Sequence, residues 1–188
     1  GGIFLLFLLL LVLGTASAET VTGIYKFTDI YASASPQPVR YYEWTFDTGS
    51  GQLTVGDYYP LDETPASTNW KTSAYKYQIR EVYIQDGLER IYPTFFSGLT
   101  NMQSVSLPRS MTQIDQQAFE NCTGLTAVTF REYNSLFNPD MTIGRRAFAG
   151  CTSLHNFLIP NYWDPSNGMD FPDTIASIGA EAFSGCTA

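Results

Sequence analysis

The chain has 188 residues with 44% hydrophobic content, which is enough for one packed domain and too apolar for a disordered segment. Its formal net charge of −8, from 10 basic and 18 acidic residues, argues against a nucleic acid or an anionic membrane as partner. Length and charge together favour one domain with a short appendage.

The appendage is N-terminal, where residues 3–13 form an unbroken run of eleven apolar residues. A helix of that length, rising about 1.5 Å per residue, is too short for a hydrocarbon core of about 30 Å. Ala16 and Ala18 follow in the A-x-A pattern of a cleavage site. We therefore predict a secretory signal peptide over residues 1–18, with a retained membrane anchor as the alternative. Because the usual Met and basic residues are missing before the run, we expect the sequence to be a fragment.

Residues 19–78 predict a small β region. Tyr42, Trp44 and Phe46 alternate with other residues, and the alternation resumes after turn-forming residues at 47–51. This pattern is typical of two strands joined by a Gly-rich turn. An isolated hairpin is marginal in water, so we expect its aromatic face to cap the open end of the repeats that follow.

The remainder of the chain repeats one pattern. An Ala-Phe pair followed three residues later by Cys recurs at Phe119, Phe148 and Phe183, and a degenerate copy has Phe96 with Leu99 in place of Cys. The successive intervals between these phenylalanines are 23, 29 and 35 residues, and the extra residues fall at one point of the unit. Insertions confined to one point indicate loops on one side of a stacked array.

Each copy combines a predicted strand with a predicted turn. The apolar triplets that end at Ile84, Leu107, Phe130 and Ile159 fit short strands stacked in parallel about 4.8 Å apart. The Ile-x-x-x-Ala-Phe-x-x-Cys segment suits a short helical or 3-10 turn on the opposite side. The predicted fold over residues 79–188 is therefore a repeat solenoid of about four copies, with a parallel β-sheet on one face, short helical turns opposite, and the β-hairpin as a preceding cap.

The recurring aromatic and thiol side chains are predicted to form the core of this array. A single copy buries little, so the phenyl rings must make a continuous core across copies. The three cysteines occupy one repeat position. We favour a column of small buried groups over a disulfide, because their number is odd and free cysteine packs well. The predicted repeat core consists of Phe96, Phe119, Phe148, Phe183, Cys122, Cys151 and Cys186.

The segment LPRSMTQIDQQAFENCTGLTAVTF resembles the BspA-like leucine-rich repeat, whose consensus runs I-P-x-x-V-x-x-I-G-x-x-A-F-x-x-C-x-x-L-x-x-V. The preceding stretches EWTFDTGSGQLTVG and IREVYIQDGLERI resemble openings common in such proteins, so that the likeness covers about residues 42–188. Asp115 departs from the consensus Gly. Met141 lies one residue out of phase with Met111 and Ile175, which predicts a local distortion at the entry to the third copy.

The resemblance implies secretion or surface display and adhesion to host or extracellular-matrix proteins. We therefore predict a protein-binding or adhesion module with a protein ligand, no nucleic-acid partner and no stable membrane insertion. A passive structural spacer within a longer surface protein is the alternative, and a fragment of an extracellular hydrolase is a third interpretation.

The sequence predicts no enzyme, cofactor or metal site. It has no G-x-S-x-G, H-E-x-x-H or Gly-rich phosphate loop, and His155 is its one histidine. The stretch Asp164 to Asp170 resembles a calcium loop, but Ile175 stands where the bidentate Glu is required. The formal glycosylation sequon at Asn121 is expected to be unused because the next residue, Cys122, is predicted to be buried.

A binding surface is predicted where strand residues between the core positions face outward. These residues form a small, mostly polar ribbon, whose alternative role is an idle solvated surface. The longest insertion adds two aromatic residues, which are typical of interface anchors but could also fold back over the core. The predicted ligand-binding residues are Tyr83, Ser106, Thr129, Leu158, Tyr162 and Trp163.

Overall fold

The computed structural model describes residues 18–28, 39–58, 70–71, 74–108, 110–131, 141–158 and 175–188. Within these ranges the strands form two sheets, and neither closes on itself. The predicted signal peptide lies outside the described residues except for Ala18. The elements are β1 (Thr20–Thr28), β2 (Val39–Asp47), β3 (Gln52–Tyr58), a 3-10 helix (Ala74–Tyr77), β4 (Glu81–Ile84), β5 (Arg90–Ile91), β6 (Ser104–Leu107), β7 (Gln113–Ile114), β8 (Ala127–Phe130), β9 (Met141–Ile143), β10 (Asn156–Leu158) and β11 (Ile175–Ile178).

The first sheet has seven strands in the order β1-β2-β3-β4-β6-β8-β10. β1, β2 and β3 are antiparallel, and β2 and β3 make the hairpin that the alternating aromatic residues predict. From β3 onwards every pair is parallel, with Val82, Val105 and Val128 opposite one another. Equivalent positions of successive copies therefore lie side by side, as the predicted parallel sheet requires.

The second sheet is parallel, with four short strands in the order β11-β9-β7-β5, and it corrects the predicted helical turn. The isoleucine that opens each Ile-x-x-x-Ala-Phe-x-x-Cys segment belongs to a strand, and the rest of the segment is a series of turns. The amide of Ala118 donates to the carbonyl of Asp115 within one copy, whereas the amide of Phe119 donates to Ala147 of the next copy. Gln117 (φ 57°) and Asn121 (φ 60°) are left-handed, which a helix does not allow. The four- and five-residue offsets of apolar side chains did not distinguish these turns from a helix.

Left-handed residues recur at two positions of every copy, two residues before and two residues after the repeated phenylalanine. Gly150 shows why the second position favours glycine. Its φ is 75°, and an added Cβ would lie 2.5 Å from Oδ1 of Asn121 in the preceding copy. The two columns are Thr94, Gln117, Arg146 and Glu181, and Gly98, Asn121, Gly150 and Gly185.

Asp115, which replaces the consensus glycine, is buried and paired. Its Oδ2 accepts a hydrogen bond from Nε of Arg90 at 2.7 Å, and its Oδ1 accepts one from Nε2 of Gln113 at 2.7 Å. In the next copy, a Cβ at Gly144 would approach the carbonyl carbon of Asp115 to 2.5 Å. The backbones are therefore in direct contact at this position, which explains the consensus glycine.

The local irregularity lies between the third and fourth copies. Ile175 pairs with Met141 and Ser177 pairs with Thr142, so that Ala176 is extra and makes a bulge in β11. The pairing of β7 with β9 has no such shift. The irregularity therefore lies in the pairing of β11 with β9, whereas the sequence predicts it at the entry to the third copy, in β9 itself.

A stack of phenyl rings runs through the centre of the repeats. The ring centroids of Phe96 and Phe119 are 5.4 Å apart, those of Phe119 and Phe148 are 5.0 Å apart, and those of Phe148 and Phe183 are 5.3 Å apart, with interplanar angles of 15°, 5° and 4°. The first three rings are fully buried and Phe183 is half-buried. Trp70 extends the stack at its N-terminal end, 6.1 Å from Phe96.

The N-terminal strands contact the first copy through aromatic side chains. Tyr42 packs edge-on against Phe95 with centroids 4.9 Å apart, and Tyr25 lies 4.6 Å from Trp70. Trp44 also packs on Trp70, at 6.3 Å. The aromatic face of the hairpin is thus buried against the residues that begin the phenyl stack.

The three cysteines form a second column beside the phenyl stack, and all are free. Each thiol donates to the carbonyl of the phenylalanine in the preceding copy: Cys122 to Phe96 at 3.2 Å, Cys151 to Phe119 at 3.2 Å and Cys186 to Phe148 at 3.4 Å. Hydrogen bonding with Cys122 and burial hold the pKa of the Cys151 thiol well above its usual range. Burial also raises the pKa of Cys186. The sulfur atoms therefore link successive copies without disulfides.

Replacing a ring inside the phenyl stack is expected to destabilise the protein more than replacing the last ring. Phe148→Ala should lower the free energy of unfolding by about 3–5 kcal/mol, because it leaves a cavity between two rings. Phe183→Ala should cost clearly less, since this side chain is half-buried. Urea unfolding followed by circular dichroism measures both. Equal losses would contradict a continuous stack.

The thiols are expected to differ in reactivity. Iodoacetamide should modify Cys186 first in the folded protein, whereas Cys122 and Cys151, which are fully buried, should react only after unfolding. Peptide mapping by mass spectrometry after timed labelling gives the order. Modification of Cys122 at the rate of Cys186 would show that the copies separate readily.

Candidate functional site

The candidate site is the side of the first sheet that faces away from the phenyl stack, here called the outer face. Core valines alternate with half-buried or exposed residues along β4, β6 and β8. The strand register places the outer-face residues in two rows that cross the copies. One row is Thr54, Tyr83, Ser106, Thr129 and Leu158, and the other is Gln52, Glu81, Ser104, Ala127 and Asn156.

Arg131 crosses this face and was not singled out by the sequence analysis. It follows β8, and its guanidinium carbon lies 4.0 Å from the centroid of the Tyr83 ring, two copies away. One terminal nitrogen donates to the carbonyl and the hydroxyl of Ser106, each at 3.3 Å. The other donates to the carbonyl of Ile84 and pairs with Asp86 Oδ1 at 3.1 Å. One side chain therefore fastens three neighbouring copies together.

The predicted binding residues fall into three groups. Tyr83, Ser106 and Thr129 are neighbours in one row and are half-buried. Leu158 continues the row by its backbone register with Thr129. Tyr162 and Trp163 lie outside the described residues. The structure therefore brings four of the six positions together.

The polar groups of the row are partly engaged within the fold. Arg131 lies over the ring of Tyr83, and it also contacts the hydroxyl of Ser106. The hydroxyl of Thr129 donates to the carbonyl of Val105 at 3.4 Å. These contacts fix the orientation of the Tyr83, Ser106 and Thr129 side chains. In the sequence, Arg131 is recognisable only as a basic residue directly after a strand. That position does not predict its contact with Ile84, which is 47 residues away in sequence.

A second group of charges links the copies on the turn side. Arg146 Nε lies 2.8 Å from Glu120 Oε1, and one terminal nitrogen lies 2.9 Å from Glu181 Oε2. The hydrogen bonds that Arg146 donates to Glu120 and then to Glu181 raise the pKa of its guanidinium. Its charge is thus neutralised by neighbouring copies, which indicates a structural role for this side chain.

The described residues contain no group of three His, Cys, Asp or Glu that could hold a metal ion. His155 is exposed, with Nδ1 2.9 Å from the carbonyl oxygen of Ser153. The calcium-like stretch Asp164 to Asp170 lies outside the described residues. Among the residues that the structure describes, no helix has the length and apolar character needed to cross a bilayer.

A protein-family model described as the BspA type leucine-rich repeat region matches residues 71–165 and 162–188, in six copies. The chain belongs to this family. The match confirms the resemblance carried by the Ile-x-x-x-Ala-Phe-x-x-Cys segments. The parallel pairing of the first sheet from β3 onwards agrees with the leucine-rich-repeat fold. No curated protein matches the sequence of this BspA-type chain.

Three solved structures are similar to this BspA-type protein. A leucine-rich repeat protein from Eubacterium ventriosum has 16% identity over 87% of this chain, with a TM-score of 0.43. One from Bacteroides ovatus has 18% identity over 77%, with a TM-score of 0.36. A leucine rich cell surface protein from Faecalibacterium prausnitzii has 21% identity over 82%, with a TM-score of 0.36. The chain spans 45%, 43% and 54% of their respective lengths.

Removing the guanidinium of Arg131 from this BspA-type repeat protein is expected to loosen the outer face. Arg131→Met should lower the free energy of unfolding by about 1–2 kcal/mol, because it removes charge-assisted hydrogen bonds and the contact with Tyr83. Arg145→Met is the matched control. The Arg145 side chain is 64% exposed and reaches Glu181 at 3.8 Å, so its removal should cost under about 0.5 kcal/mol. Urea unfolding of both variants is the measurement, and similar losses would refute the fastening role.

Proposed function

We propose that this protein is a secreted or surface-displayed adhesion module that binds a protein ligand through its outer face. Its family supports a role in protein interaction or as a repeat protein. The observation that carries the proposal is the mostly polar row from Thr54 to Thr129, which Leu158 continues in register across a fifth strand. Arg131 contacts two members of this row, Tyr83 and Ser106.

The fixed side-chain contacts and the composition of the outer face both suit it to protein recognition. Side chains that are already ordered lose little conformational entropy on binding, so more of the contact energy appears as affinity. Tyrosine and arginine are the residue types enriched at the energetic centres of interfaces, and Tyr83 and Arg131 are in contact here. We therefore place the centre of the binding surface at this pair.

The charge of the protein favours a ligand with a basic surface. The formal net charge is −8. Glu81, at the start of β4, and Asp86, just after β4, are both exposed. Complementary charge accelerates encounter and disfavours acidic partners. Binding should consequently weaken as the salt concentration rises.

The proposal includes the organisation predicted from the sequence: a signal peptide over residues 1–18, a β cap over 19–78 and a repeat solenoid over 79–188, without enzyme activity. Tyr162 and Trp163, in the longest insertion, are proposed as a second contact. Export is the consequence of the apolar run and the A-x-A pattern that follows it.

A passive spacer is the second candidate function. It is favoured by the observation that Arg131, Ser106 and Thr129 already use polar groups on contacts within the fold. A spacer needs a stiff stack of copies and no ligand. Only a binding measurement separates the two functions.

The purified chain should bind at least one of a panel of immobilised, enzymatically deglycosylated extracellular-matrix proteins more strongly than albumin. Tyr83→Ala should reduce the affinity at least about tenfold, since the residue is proposed as the centre of the interface. A double variant, Tyr162→Ala with Trp163→Ala, tests the second contact. The matched control is Tyr77→Ala, which removes an exposed tyrosine away from the outer face and should leave this affinity unchanged.

Surface plasmon resonance gives the affinities, and circular dichroism shows whether each variant folds. If the parent chain binds no matrix protein above albumin, the adhesion proposal is wrong and the spacer remains. If Tyr77→Ala and Tyr83→Ala weaken binding equally, the outer face is not the binding surface.

A further inference from the structure

A polar cleft of about 610 Å³ lies at the edge of the first sheet, where the chain turns into strands β3, β4, β6 and β8. This volume lies within the range of small-molecule sites. Most such sites are predominantly apolar, whereas this cleft is lined mainly by amide and hydroxyl side chains and by glycines. Its composition therefore selects a hydrophilic ligand.

Backbone hydrogen bonds join the residues that line the cleft. The carbonyl of Gly51 accepts from the amide of Arg80 at 2.9 Å, and the carbonyl of Arg80 accepts from the amide of Gln103 at 2.6 Å. A Cβ at Gly124 would lie 2.5 Å from the carbonyl oxygen of Thr100, which shows how closely the turns of neighbouring copies pack. The cleft is thus preformed by the stacking of copies.

Tyr77 provides an aromatic platform at this cleft. Its side chain is 65% exposed, although its backbone is held in place. The side-chain amide of Asn101 donates to the carbonyl of Tyr77 at 2.7 Å, and the amide of Gln78 donates to Tyr75 at 2.7 Å. An exposed ring on a fixed backbone offers a flat, electron-rich face at low entropic cost, which suits the C–H groups of a pyranose ring.

Hydrogen-bonding side chains surround this platform. Gln78, Asn101 and Gln103 each carry a carbonyl oxygen and an NH₂ group, and Ser50 and Thr100 carry hydroxyls. Such groups donate and accept side by side, as the neighbouring hydroxyls of a sugar do. These five side chains offer more hydrogen-bonding groups than a simple inorganic ion would use.

The charges at the cleft favour an acidic ligand. Among the described residues that line it, Arg80 carries the one formal charge. Lys76 lies alongside, with Nζ 5.6 Å from the centroid of the Tyr77 ring. The carboxylate of Asp47, near the same turn, accepts the amides of Gly49 and Ser50 at 2.8 Å each. A lysine beside the Tyr77 ring and an arginine in the lining of the cleft are a local exception in a chain with a net charge of −8.

We propose that this cleft binds a saccharide that carries a carboxylate. The sugar ring stacks on Tyr77, its hydroxyls bond to Asn101 and Gln103, and its carboxylate pairs with Arg80. The cleft does not contain the residues proposed for protein binding. Sugar binding and protein binding can therefore each be disproved without affecting the other.

The test uses 3′-sialyllactose as the acidic probe and lactose as its uncharged counterpart. Amide chemical shifts of the purified chain are followed by NMR while each sugar is added to millimolar concentration. Saturable shifts should centre on Gly51, Asn101 and Gly124, and the acidic sugar should bind about tenfold more tightly. Shifts with neither sugar, or shifts centred elsewhere, overturn the proposal.

Variants separate the two parts of the site. Tyr77→Ala should weaken both sugars about tenfold, because both lose the platform. Arg80→Gln should remove only the preference for the acidic sugar. Tyr83→Ala is the control on the outer face and should bind both sugars like the parent, whatever its effect on matrix proteins. Unchanged binding by Tyr77→Ala in a folded protein overturns the proposal.

Discussion

Everything in the repeats depends on backbone hydrogen bonds that run from each copy to the next. The parallel strands of the two sheets supply two lines of these bonds, and the turns supply a third. In the turns, the amide of Phe119 donates to the carbonyl of Ala147, and the amide of Phe148 donates to that of Ala182. Because these bonds fix the distance and register between copies, each side chain packs against the equivalent side chain of the next copy. The phenyl stack and the thiol column follow from this constraint.

The same constraint explains which residues the turns accept. Each turn uses alternate amides within its own copy and the others between copies, and this requires left-handed residues on both sides of the phenylalanine. Glycine meets the requirement at least cost, but Gln117 and Arg146 are also left-handed. Arg146 gains ion pairs with Glu120 and Glu181 of the adjacent copies. Contacts between copies can therefore stabilise a non-glycine residue in a left-handed conformation that its own side chain disfavours.

The two proposed binding surfaces differ because they arise from different parts of each copy. Strands present side chains in rows, so the outer face is a flat ribbon suited to a protein. The turns that lead into those strands leave a cleft between their backbones, and its small polar residues suit a sugar. Arg131 lies over the Tyr83 ring, whereas the Tyr77 side chain is open to solvent, so of these two tyrosines the more exposed one belongs to the cleft.

The sequence by itself determined the family and the parallel strands, because a recurring Ala-Phe-x-x-Cys pattern is explained by stacked copies. It also indicated buried positions such as Phe119 and Phe148, whereas Phe183 and Cys186 are only half-buried. It could not distinguish a helical turn from a strand followed by turns at Ile114 to Cys122, because both place apolar residues four and five apart. Tertiary structure alone decided that Arg131 lies over Tyr83, and that residues as far apart in sequence as Ser50, Tyr77 and Gly124 line one cleft. Such contacts join different copies, and a local sequence pattern carries no information about which distant residues meet across a stack.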